Sequence, residues 1–88
     1  NRTLLHIAAQ KGRLDVVKYL VDQGANKDAV AMYDFTPLYE AVFCDHLDVV
    51  KYLVEQGANM DSRDFINWTP LHWAANIGHL DIVKYLVD

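Results

Sequence analysis

Leu47-Asp48-Val49-Val50-Lys51-Tyr52-Leu53-Val54 is the stretch on which the fold turns, because the chain writes it three times. The same eight residues stand at Leu14 to Val21, and they return at Leu80 to Val87 with Ile82 in place of valine. Both intervals are 33 residues. A second marker keeps the same step: Thr3-Leu4-Leu5-His6, Thr36-Pro37-Leu38-Tyr39 and Thr69-Pro70-Leu71-His72. A third, Gly24-Ala25-Asn26, recurs as Gly57-Ala58-Asn59. Three copies in one register signify a stacked repeat, in which each unit buries its apolar face only against its neighbours.

Each copy carries the signals of two helices. Thr36-Pro37 and Thr69-Pro70 predict helix starts, with threonine as cap and proline where its missing N–H costs nothing. The first helix is short, about 70–77 in the last copy, and rich in alanine (Ala8-Ala9, Ala41, Ala74-Ala75), so a neighbour can approach closely. Gly12 and Gly78 end it, since glycine takes a left-handed conformation without a Cβ penalty. The second helix starts near Leu14, Leu47 and Leu80. Its apolar residues at 14, 16, 17, 20 and 21 predict one buried face. Asp15, Asp48 and Asp81 favour its positive N-terminal end. Gly24 and Gly57 close it, and residues 25–35 and 58–68 between units show no helical pattern.

Thr-Pro-Leu-His at 69–72, Ala74-Ala75, Gly78-His79, the Leu-Asp-x-Val helices and the Gly-Ala-Asn ends together resemble the ankyrin repeat over the whole chain. The resemblance implies an all-α solenoid of helix–turn–helix units with projecting β-hairpin-like loops. It also implies a concave face of loop tips and first helices that docks proteins. The expected organisation is one array over 1–88: repeat one about 1–30, repeat two about 31–63, and a truncated repeat three about 64–88.

Repeat two departs most from the pattern, with Tyr39 for histidine, Val42 for alanine and Asp45 where its siblings have glycine. Repeat one has Leu4 for proline. Asn1, Asp34 and Asn67 stand where the family has glycine before x-Thr-Pro; these are the other residue types that visit left-handed geometry. Neither end reads as the polar cap that solenoids need for solubility, so the expectation is a piece of a longer array that self-associates head to tail.

Composition narrows the function classes. The net charge is −4 and the pI about 5.4, against a phosphate-backbone binder. Exposed aromatics could stack bases, and binding that falls steeply with salt would reveal that. One cysteine, no signal-like N-terminus and no apolar run of membrane-spanning length predict a cytoplasmic or nuclear segment without membrane contact. Asn1-Arg2-Thr3 and Asn67-Trp68-Thr69 match a glycosylation sequon, but their threonines are already required as caps.

His6, His72 and His79, with Cys44 and His46, invite a metal site or a Cys–His nucleophile. His6 and His72 are one repeated position; the resemblance implies that this imidazole bonds backbone groups at the unit junction. His79 belongs to the Gly-His turn. Only Cys44-Asp45-His46 reads as local and unshared, and consecutive turn residues do not supply a closed ligand set. Asp15, Asp48 and Asp81 are also one repeated position rather than a carboxylate pair. No glycine-rich phosphate loop is present. No catalytic residue, metal or cofactor is expected.

Positions that repeat serve the solenoid; positions that differ are free for something else. The loop before repeat two offers Met32, Tyr33 and Phe35, and the loop before repeat three Phe65, Ile66 and Trp68. The first helices add Ile7, Gln10 and Lys11, then Glu40, Phe43 and Cys44, then Trp73, Asn76 and Ile77. Aromatics and methionine are the types enriched at interface cores. Met32, Tyr33, Phe35, Glu40, Phe43, Phe65, Ile66, Trp68, Trp73 and Ile77 are therefore the candidate contacts for a protein partner. The competing expectation is that some of the aromatics fold back and only cement the stack.

Overall fold

Threonine opens every unit in the computed structural model, which describes residues 2–88. Six α-helices follow in order: α1 (Leu4–Lys11), α2 (Leu14–Asp22), α3 (Pro37–Phe43), α4 (Leu47–Glu55), α5 (Pro70–Ile77) and α6 (Leu80–Val87). They pair as α1–α2, α3–α4 and α5–α6; the first helices stack in one layer and the second helices in another. No strand occurs among the described residues. This is an all-α helical repeat.

The caps explain where helices begin. Thr3 accepts the His6 N–H (3.2 Å) while the His6 ring accepts the Thr3 N–H (3.2 Å). Thr69 and His72 repeat this reciprocal box at 3.4 and 3.0 Å. Thr36 occupies the same place with the same extended backbone, yet its side chain caps nothing, contrary to the expectation. Its Oγ1 is buried without a partner. The reciprocal half of the box is also out of reach, because Tyr39 has no ring nitrogen to meet the Thr36 N–H or hydroxyl as His6 and His72 do for their threonines.

Left-handed residues explain where helices end. Gly12 (φ 72°) and Gly78 (φ 94°) close α1 and α5, and Asp45 takes the same conformation after α3 at φ 64°. Asp34 (φ 59°) and Asn67 (φ 66°) hold the glycine places before the threonines; Asn1 lies outside the described residues. Tyr33, at φ 66°, is an additional left-handed residue, accommodated in a 3₁₀ turn over Met32–Asp34 that no helical pattern announced.

One register position shows how stacking makes the core. Val49 and Ile82 are fully buried, while their equivalent Val16 is 43% exposed. The expected buried face of α2 is thus incomplete, because no unit among the described residues packs against its outer side. Leu5, Ala8 and Ala9 of α1 meet Leu38, Ala41 and Val42 of α3, and Ala74 of α5 continues the row. Burying such side chains is worth roughly 25 cal/mol per Å² of apolar surface.

Polar staples join successive units. The His6 Nδ1 receives a backbone N–H, so Nε2 carries the proton and donates to the Phe35 carbonyl at 2.9 Å. Tyr39 takes over one unit later: its hydroxyl faces the Trp68 carbonyl at 2.8 Å and the Ser62 carbonyl at 2.5 Å. Burial pushes its phenol above the ordinary value, which keeps it a donor. His46 Nε2 meets the Gln10 carbonyl at 2.9 Å, and His79 Nε2 meets the Phe43 carbonyl at 3.2 Å. His46 is therefore a repeated structural position after all, one register from His79, and not a private member of a Cys44-Asp45-His46 cluster. Lys18 lies 5.7 Å from the Tyr52 ring centroid, and Lys51 sits equally far from Tyr85.

Candidate partner-binding surface

The projecting loops are built by hydrogen bonds within and between them. Ala31 N–H donates to the Phe35 carbonyl (2.8 Å), and Asp64 N–H to the Trp68 carbonyl (2.9 Å), which closes each turn like a hairpin end without strands. Phe65 N–H donates to the Tyr33 carbonyl at 3.1 Å and ties the two loop tips together. The second loop is organised by Asp64, which is 6% exposed. Its Oδ1 accepts the Ile66 and Trp68 N–H groups (3.0 and 2.9 Å), and its Oδ2 accepts the Trp73 indole N–H. Asp64 was missed as a positioning residue in the sequence, although Asp64-Phe65-Ile66-Asn67 carries the turn signal of an aspartate that binds its own backbone two residues on.

Between these loops and the first helices lies an open hollow of about 630 Å³, lined by Arg2, Gln10, Met32, Tyr33, Phe35, Glu40, Phe43, Phe65 and Trp73. Met32, Tyr33, Phe43 and Phe65 are exposed. Phe35 is the correction: it was expected as a solvent-facing loop residue, but it is only 8% exposed. Its ring stacks on Tyr39 (centroids 5.0 Å, planes 11° apart) and meets Trp73 edge-on at 5.9 Å. It forms part of the hollow's wall from within the core.

The remaining candidates lie outside the hollow. Trp68 is half-buried, stacked on His72 at 5.7 Å and edge-on to Trp73 at 4.9 Å. Ile66 and Ile77 are exposed but do not line it. Some aromatics therefore do cement the stack, Phe35 and Trp68 foremost, whereas Tyr33 and Phe65 pair at 4.9 Å across the loop tips and stay accessible.

Arg2 is the lining residue that sequence reasoning missed. It stands in the register of Phe35 and Trp68, and that shared register was the available signal. Its Nη2 donates to Gln10 Oε1 at 2.8 Å and lies 3.8 Å from Glu40 Oε1.

Burial, and next the Glu40 charge, push the Cys44 thiol above its ordinary value, which keeps it protonated and a poor nucleophile. Among the described residues no cluster of three or more His, Cys, Asp or Glu could hold a metal ion. Nor is any helix there long and apolar enough to cross a membrane.

A family model described as ankyrin repeats (3 copies) matches residues 1–64, and another described as ankyrin repeats (many copies) matches residues 45–87. No curated protein matches the chain. Ankyrin repeats generally serve as protein–protein interaction modules. With the 33-residue period, the threonine-opened helix pairs and these two matches in agreement, the chain belongs to the ankyrin repeat family.

Proposed function

We propose that this array is a non-catalytic interaction module that binds a partner protein through its loop tips and first helices. The observation that carries this reading is the open hollow of about 630 Å³, in which methionine and aromatic side chains from two successive loops and two first helices converge. An apolar surface already assembled by stacking lowers the ordering cost of binding, and a few aromatic anchors supply most of the affinity. The test compares two variants as bait in a lysate pull-down. Tyr33→Ser with Phe65→Ser is expected to lose the retained protein, an effect of about 2 kcal/mol or more if both are anchors. Trp68→Ser, outside the hollow, is expected to keep it. Equal retention by both variants would move the site off the hollow, and no retention by any form would favour an architectural spacer.

A second contact is supported by a separate observation. Leu4 is 70% exposed and Tyr19 64%, and a smaller hollow of about 290 Å³ lies beside Leu4, Leu5, Leu20 and Ala25 on the outer side of the first unit. Tyr19 is the register equivalent of Tyr52 and Tyr85, each of which carries a lysine from the preceding unit. Head-to-tail self-association would place Lys84 of one copy over Tyr19 of the next. Sedimentation is expected to show mass rising with concentration and reverting to monomer on Tyr19→Glu. A monomer at all concentrations rejects the contact.

A further inference from the structure

The hollow's polar edge carries a carboxylate with free acceptor capacity. The Glu40 side chain is only 12% exposed, and its carboxylate accepts no hydrogen bond from any described residue. Its one charged neighbour is Arg2, 3.8 Å from a single oxygen, and the Arg2 Nη2 is already engaged with Gln10 at 2.8 Å. An ionised carboxylate offers about four acceptor sites; those of Glu40 are still reached by water, and covering them is costly unless the occupant supplies a donor. Phe35, Phe43 and Trp73 line the same hollow, and the faces of such rings attract cations.

We propose, on the reading that the hollow is the partner site, that it receives a lysine or arginine side chain of the partner, with the aliphatic stem on the aromatic wall and the cation at Glu40. The fit is to both halves of such a side chain, since its stem is apolar and its head is charged. An acidic side chain would meet Glu40 as a like charge. A purely apolar one would finish desolvating Glu40 and supply no donor. The net charge of −4 also draws basic segments toward the surface.

The probe is a set of immobilised peptide pools, each with a fixed central lysine, arginine, glutamate or norleucine and degenerate apolar flanks. The 88-residue chain is passed over all of them. Wild type is expected to be retained by the lysine and arginine pools about tenfold better than by norleucine, the scale of a charge-assisted hydrogen bond. Glu40→Gln should abolish that preference by lowering lysine and arginine retention to the norleucine level or below it, because the charge that holds the cation is gone. Arg2→Gln, which removes the competing cation, should raise retention by the lysine pool. Equal retention by lysine and norleucine, lost in Tyr33→Ser with Phe65→Ser, would overturn the cation while leaving the hollow as the site. A preference for glutamate would overturn it in favour of Arg2 as the reader. Retention by no pool above the level of that double variant would overturn both readings.

Discussion

Tyr39→Ala is expected to destabilise the protein by about 3–5 kcal/mol, and Tyr39→Phe by about 1–3 kcal/mol. Tyr39 is 1% exposed, and its ring stacks on Phe35, so truncation leaves a cavity between the second and third units. The phenylalanine isolates the hydroxyl. Without it the Ser62 and Trp68 carbonyls lose their shared donor at the foot of the second loop. Urea unfolding of the three forms measures both steps. Tyr39→His should recover part of the loss relative to alanine. An imidazole there can reach the next loop as His6 does and return the capping bond that Thr36 now lacks. A phenylalanine variant as stable as wild type would mean that water satisfies those carbonyls, and the hydroxyl would then have no structural role.

Two glycines with the same conformation are expected to respond differently. Gly12→Ala should cost about 2–3 kcal/mol, and Gly78→Ala about 1 kcal/mol. Both have positive φ, 72° and 94°, so both pay for a side chain in the left-handed region. Only Gly12 also faces a neighbour: an added Cβ would lie 2.6–2.9 Å from three atoms of the His46 ring, whereas nothing stands within 4 Å of one at Gly78. The ring must move, and the staple from His46 to the Gln10 carbonyl goes with it. A double-mutant cycle with His46→Ala should therefore show Gly12→Ala losing its excess cost. Equal losses at the two glycines would show that the ring shifts freely.

Most of the scaffold was legible in the residues. The period of 33, the threonine caps, the left-handed roles of Asp34, Asp45 and Asn67 and the starts of the second helices are consequences of local chemistry, and repetition makes each visible more than once. The departures arose where a residue answers to a neighbour in the next unit. Thr36 reads as a cap but depends on what stands at position 39. Tyr39 reads as a lost histidine but still reaches the carbonyl one register on from the one His6 uses.

The candidate surface divides in the same way. Positions that vary between copies could be picked out without coordinates, and seven of the ten chosen line one hollow. Which of them stay accessible could not, because Phe35 and Phe65 are the same residue type in loops without a helical pattern, and only the packing of Tyr39 and Trp73 on Phe35 sets it apart as buried. Period, caps and turn residues are short-range properties of the chain and can be read along it. Burial of Phe35, the meeting of Glu40 with an aromatic wall and the reach of Arg2 across the hollow come from residues far apart in sequence meeting in space, and they exist only once the units have stacked.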